Sequence, residues 1–395
     1  MKKKHAITSA IVLAVLAALV YSQFRHWRSF DWQQFWRVSK DVNLWMVLGG
    51  VVLIYLADVL RAVRWKLFLS PTCKTTVSRL IPSQFIGFTG LALLGRPGEL
   101  VRPFLVARKE NLTFSSQLAV WAVERVFDIS AVAILMGLSL AIWGDKFKAY
   151  PQVQTAGYLL LGLAAALALI FFLLWWRTEQ IARVLDRLLR PRSERVANTI
   201  CRKVRAFGQG LHTIRDLKSF LLIALVSLCL WVFIAQAYIQ VMHAYPVTTV
   251  QVQVDSDDDD DDSGPGPVVT RTIRLHQMKL EDALLVMGAS MAGSIVQLPG
   301  VGGGSQLAVI ELLSSDIFKN EPYNITRELA VSVGMLCWLV TFMAVIPAGL
   351  IMAHRERISL RMISRESEME ATQAERPECA PTVIAGQVDA PRKGD

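Results

Sequence analysis

Hydrophobic residues run along this chain in long blocks divided by short polar stretches. Blocks long enough to cross a bilayer, roughly 17–25 residues each, lie near 6–24, 42–60, 117–142, 155–176, 218–245 and 328–353. Two further apolar stretches are short or broken. "LIPSQFIGFTGLALLG" (80–95) ends at "RPGEL", and "LLVMGASMAGSIVQLPGVGGGSQLAVIELL" (284–313) is interrupted by Pro299, Gly300, Gly302, Gly303 and Gly304. Each follows one spanning block and precedes another. Such a stretch is either a kinked ordinary helix or a re-entrant segment, whose irregular backbone must be buried in protein or line a wet cavity. Pro97 precedes Glu124 by 27 residues and Pro299 precedes Glu328 by 29. Broken segments at matching places in two halves point to an inverted repeat. The pattern predicts an all-α integral membrane protein, a polytopic bundle with six full spans and two re-entrant or broken helices.

Other periodicities mark the segments between the blocks. In 177–217, Val196, Ile200, Val204, Phe207, Leu211 and Ile214 recur every three or four residues, with Arg195, Arg202, Lys203 and Arg205 between them. This reads as a basic amphipathic helix at a membrane surface, or as ordinary retention of positive charge on the inner side. In 246–283, "VTTVQVQV" and "VVTRTIRL" alternate with period two, as in the strands of a hairpin. Their connection holds six consecutive aspartates, Asp257 to Asp262. Lacking the glycine and closing glutamate of an EF-hand, it reads as a self-repelling tip. The domain expected is 1–353, with 246–283 as a small external β-hairpin insertion and 354–395 as a disordered cytoplasmic tail.

Composition agrees with this reading. Of 395 residues 53% are hydrophobic, mean hydropathy is +0.38 and the formal net charge is +9. Lys and Arg residues orient the spans. With a cytoplasmic N-terminus, the inner segments carry 22 basic residues against 11 outside. Both termini are then cytoplasmic. The first 24 residues fit a retained helix better than a cleaved signal, since the apolar run is long and no A-x-A site follows. Five cysteines without CxxC or metal spacing argue against a disulfide framework.

The chemistry worth attention is in "AVWAVERVFDISAVAILMG" (119–137), where Glu124, Arg125 and Asp128 interrupt a spanning block. Ionisable groups at that depth are costly and default to function. Arg125 reaches Asp128 at i,i+3, while Glu124 shares the i,i+4 face with Asp128 and needs another cation. Arg61 and Arg64 lie at the inner end of the second helix, and Arg96, Glu99 and Arg102 at the mouth of the first broken segment, beside Gly98. The group reads either as a crevice whose arginines hold a phosphate or other anionic head group or as a structural salt-bridge network. Enzyme signals are weak: the six histidines form no metal pair, and "GVGGGS" is neither a Walker loop nor a GxGxxG after a strand. No cofactor is expected, and nothing points to nucleotide or nucleic acid.

"FDWQQFW", "VLIYLADVLRAVRWKLFL" and "GRPGELVRPFLVARKENLTFSSQLAVWAVERVFD" resemble the lysylphosphatidylglycerol synthase transmembrane family, which includes the flippase half of the multiple peptide resistance factor. The likeness runs from about residue 5 to 353. It implies a bacterial inner-membrane protein that moves lipids between leaflets, with Arg64, Arg96, Gly98, Glu99, Arg102, Glu124, Arg125 and Asp128 as its charged block. Two features depart from that family: Gln306 stands where an acid is usual, and Trp338 stands near the place of an arginine. The soluble acyltransferase domain of the two-part members is absent from the sequence. The leading reading is a lipid flippase. The alternatives are a membrane-embedded transferase on a lipid-linked sugar or amino acid, and a scaffold. The partners implied are lipids with anionic head groups, with a second copy of the chain or a separate lipid-modifying enzyme.

Overall fold

In the computed structural model, residues 31–142, 151–191, 217–253, 268–295, 297–298, 302–319 and 322–356 are described, with 194, 197, 198, 200 and 201. The first block (6–24), most of the amphipathic stretch, the aspartate run, Pro299, Gly300 and nearly all of the tail lie outside them. Of residues 353–395, a separate unit, only 353–356 are described.

A short helix comes first. α1 (Trp32–Lys40) is capped by Asp31, whose carboxylate accepts from the N–H groups of Gln33 and Gln34. These residues fall in the polar stretch between the first two apolar blocks; the Asp31 cap starts a helix there, with Val38 buried and Trp32 and Trp36 exposed. α2 (Leu44–Leu69) is longer than the 42–60 block. Its last turns carry Arg61 and Arg64, which lie beyond the end of that apolar block and are buried here. Without Arg61, Arg64 and the buried Arg102, the inner segments carry 19 basic residues against 11, so the bias keeps its sign.

The broken stretches are both helical hairpins. α3 (Val77–Leu94) continues through Pro82, turns at Gly95 (φ 69°) and a 3₁₀ turn, Arg96–Leu100, and returns as α4 (Val101–Lys109). The return arm was read as loop; with two arginines, a lysine and a proline in nine residues its hydropathy is low, yet Val101 to Ala107 are all buried. α5 (Phe114–Ile142) follows, then α6 (Pro151–Leu189), which is kinked at Arg177 and extends past the 155–176 block. α7 (Leu217–His243) packs along the length of α2. It runs antiparallel to it, since the N–H of Asn43 donates to Ala244 O at 2.8 Å.

Strands Thr248–Gln253 and Val268–Ile273 pair antiparallel, Thr248 opposite Ile273. The second hairpin is α8 (Leu280–Gly293), a two-residue ladder of Gln297–Leu298 on Gly302–Gly303, and α9 (Gly304–Leu313). At 1.5 Å per residue its arms measure about 21 and 15 Å, too short to cross a hydrocarbon core of ~30 Å. After the single turn α10 (Asp316–Lys319), α11 (Arg327–Trp338) passes through a π-helical turn, Leu339–Met343, into α12 (Val345–Arg355). Tyr55 Oη donates to Ala344 O at 2.6 Å, where the π turn gives way to α12.

Five helical segments are long and apolar enough to cross a membrane among the described residues: Leu44–Leu69, Val77–Leu94, Phe114–Ile142, Lys218–His243 and Arg327–Arg355. The element order span, hairpin, span occurs twice, at 44–142 and at 217–355. A local detail marks the same repeat. Asn111 and Asn324, each with φ 54°, are the two non-glycine residues of positive φ among the described residues. Each opens an Asn-Leu-Thr or Asn-Ile-Thr triplet whose threonine hydroxyl accepts from an N–H in the next helix, Ser116 N to Thr113 at 3.3 Å and Leu329 N to Thr326 at 3.4 Å.

Candidate functional site

The inner end of α2, both arms of the first hairpin, the early turns of α5 and the early turns of α7 converge on one buried cluster. Arg64 sits at its centre. One nitrogen, Nη2, donates to Glu124 Oε1 at 2.5 Å; the other, Nη1, donates to Asp128 Oδ1 at 2.7 Å and Ser227 Oγ at 2.9 Å. One guanidinium thus spans the two carboxylates that face the same way because they lie four residues apart on α5. Arg102, from the return arm, pairs with Glu124 on the other side, Nη2 to Oε2, and gives Nη1 to Gln84 Oε1 at 3.0 Å. Two indoles complete the shell: Trp65 Nε1 donates to Glu124 Oε2 at 2.9 Å, and Trp231 Nε1 to Asp128 Oδ1 at 3.1 Å.

Arginine suits this place for a second reason. The Arg102 guanidinium lies 4.8 Å from the Trp65 ring centroid and 5.9 Å from that of Phe88, and Arg61 lies 4.6 Å from Phe88 on its own side. Flat, weakly hydrated cations stack on aromatic faces at low desolvation cost. Arg61 also holds Asp58 at 2.9 Å. Close packing brings the arms together: a Cβ on Gly87 would stand 2.5 Å from Arg102 Cβ, so a side chain there would push the arginine away from Glu124.

Arg125 differs from the rest. Its Nη2 reaches Asp128 Oδ2 at 3.0 Å and Glu124 Oε2 at 3.7 Å, yet 38% of its side chain is exposed. Its helix neighbour four residues on, Ile129, is also exposed. Over 44–60 of α2 and 117–142 of α5 the exposed positions are apolar, among them Leu138, Ile142, Leu48 and Val52, while the exposed Lys66, Ser115 and Ser116 lie nearer the helix ends. Arg125 therefore opens the cluster onto an otherwise apolar surface.

The structure brings together Arg64, Arg102, Glu124, Arg125 and Asp128 as the sequence anticipates. Glu99 lies half-buried on the 3₁₀ turn at the hairpin tip, and the Arg96 side chain is outside the described set. Gly98 is at that tip, against the backbone of Gly90. In the second hairpin Gly303 has φ 107° and donates its N–H to Gln306 Oε1 at 2.8 Å, so Gln306 closes its own turn. The neutral partners Trp65 and Trp231, which donate, and Ser227 and Gln84, which accept, went unnoticed in the sequence, where apolar context hides them. The one available signal is that Ser227 and Trp231 share a helix face at i,i+4. No group of three or more metal-ligating side chains is present among the described residues, and Cys73, Cys201, Cys229 and Cys337 are free thiols.

Glycosyltransferase AglD of Haloferax volcanii is 28% identical over 140 residues, 35% of this chain and 22% of that protein. The chain therefore spans under a quarter of that relative's length. No solved structure matches the sequence. The family model described as lysylphosphatidylglycerol synthase TM region matches residues 6–254, which include α2 to α7 and every charged residue of the cluster. This multi-pass helical membrane protein belongs to the lysylphosphatidylglycerol synthase transmembrane-region family.

Proposed function

We propose that the protein moves a lipid with an anionic head group between the leaflets of a bacterial inner membrane. One observation carries the reading: four arginines meet three carboxylates in a buried cluster, and Arg125 presents the surplus positive charge on an apolar face. A purely structural network gains nothing from uncompensated charge in an apolar setting. An anion arriving from the side, its acyl chains still in lipid, would compensate it. The two hairpins, entering from opposite sides, are the elements that open and close access.

The orientation, with both termini cytoplasmic and the 246–283 hairpin external, rests on the basic-residue bias. In a cysteine-free background, an impermeant thiol reagent applied to intact cells is expected to label Ser263→Cys and spare Ser193→Cys. The reverse pattern would remove the opposed entry of the hairpins. For transport itself, purified protein in vesicles with a fluorescent acyl-labelled anionic lipid is expected to carry the label across, as read by dithionite quenching. Arg125→Ala should slow this at least tenfold with a melting temperature within a few degrees of the parent, while Arg190→Ala, in an exposed pair with Asp186, leaves it unchanged. Full transport by a folded Arg125→Ala protein would exclude that residue.

A second reading has one observation in its favour, the partial likeness to a protein named a glycosyltransferase. On that reading the cluster holds the phosphate of a lipid-linked donor for transfer. Release of the donor's head group by purified protein would decide for it.

A further inference from the structure

The twin asparagine turns give the two halves a common register. Placing Asn324 on Asn111 superposes two helices of equal length, Phe114–Ile142 and Arg327–Arg355, each 29 residues. Buried positions then coincide: Val120 with Val333, Glu124 with Cys337, Phe127 with Val340. In that register Arg125 corresponds to Trp338 and Asp128 to Thr341. The three charges that α5 gives the cluster are thus each replaced by a neutral group. The replacement extends beyond one helix, for 219–242, 283–310 and 329–353 contain no Asp, Glu, Lys, Arg or His.

Neutral does not mean apolar. The hydroxyl of Tyr238 on α7 meets those of Ser290 on α8 and Thr341 in the π turn. The arms of the second hairpin touch where Gly293 meets Gly304 O, and a Cβ on Gly334 would stand 3.4 Å from Gln306 O, which fixes α11 against the first turn of α9. Trp338, one turn further along the same face of α11, is then level with the hairpin tip. Its buried indole Nε1 has no hydrogen-bond partner. Ser305, on the first turn of α9 and only 3% exposed, has a hydroxyl without one either. Free N–H groups at the start of that ten-residue helix carry the positive end of its dipole.

We infer that the second half holds a half-site of uncharged hydrogen-bond donors, formed by the first turn of α9 with Ser305 and Trp338, which takes the anionic part of a lipid head group and rejects a cationic one. The inference rests on the lipid-moving reading and narrows its substrate to anionic lipids without an ammonium group. Donors and a helix N-terminus stabilise a phosphate without a balancing cation. An ammonium group needs carboxylates, and those of the first half are engaged with arginines.

The test uses the full chain in phosphatidylcholine vesicles carrying a trace of acyl-labelled phosphatidylglycerol or acyl-labelled lysylphosphatidylglycerol. The first lipid is expected to cross at least tenfold faster. Equal rates, or faster movement of the lysyl lipid, overturn the inference while leaving lipid movement intact; absence of movement of both overturns the functional reading together with it. Ser305→Ala is expected to slow phosphatidylglycerol at least fivefold with an unchanged melting temperature, and an unchanged rate in that variant removes the half-site.

Discussion

Arg64→Leu is expected to prevent accumulation of folded protein, or to lower its melting temperature far more than any other single arginine substitution. The side chain is fully buried and holds Glu124, Asp128 and Ser227 together. Removing one partner of a buried ion pair costs about 3–5 kcal/mol because the other charge is left uncompensated, and here two carboxylates lose their shared cation. Arg102 and Arg125 remain to offset part of that loss. Domains are commonly stable by only about 5–15 kcal/mol, so the change consumes a large share. Lys66, one residue beyond Trp65 on the same helix and exposed, provides the comparison: Lys66→Leu should melt within a degree or two of the parent. Detergent-solubilised melts of both variants check this, and equal melting temperatures would show that Arg64 is not the keystone.

The second large effect is expected at Gly98→Val. A Cβ at Gly98 collides with the carbonyl carbon and oxygen of Gly90 and lies 2.6 Å from Leu91 N. These are backbone atoms, which cannot rotate away as a side chain would. The arms of the first hairpin must separate, carrying Arg102 from Glu124. Overpacking alone costs about 1–3 kcal/mol, and loosening the ion pairs adds to it. Gly162, on α6, has nothing within 4 Å of the same position; Gly162→Ala should be neutral or slightly stabilising, as alanine favours helix by up to about 1 kcal/mol. If Gly98→Val matched Gly162→Ala in melting temperature and yield, the close hairpin tip would be wrong.

Much of the architecture was legible because a bilayer imposes a length rule on apolar blocks. Where charge enters a block the rule misleads. α2 runs on past residue 60 because Arg61 and Arg64 are neutralised within the protein, a pairing that hydropathy cannot register. α4 is invisible for the same reason: Arg102 faces Glu124 instead of water. The i,i+4 spacing of Glu124 and Asp128 did foretell that one carboxylate needed a remote cation; of the four arginines that the sequence offers, Arg61, Arg64, Arg96 and Arg102, it is Arg64 and Arg102 that reach Glu124, while Arg61 pairs with Asp58. The indoles of Trp65 and Trp231 could not be chosen among eleven tryptophans without knowing which helices meet. The twin asparagines went unread, since a positive φ leaves no periodic trace.

The share of α7 in the cluster has a consequence for how the chain is made. Ser227 and Trp231 complete the hydrogen bonding of Arg64 and Asp128, but they follow Asp128 by about a hundred residues. At synthesis rates of roughly 5–20 residues per second, the charged half waits about 5–20 s in or beside the membrane before these last hydrogen-bond partners emerge. During that interval Asp128 has Arg64 and Arg125 but no indole, and the long face of α2 that α7 will cover is still open. A nascent chain arrested before residue 217 should therefore be held by whatever shelters polar helices during insertion, and released once α7 has been made. The second half faces no such delay over 219–242, 283–310 and 329–353, which hold no charge to satisfy.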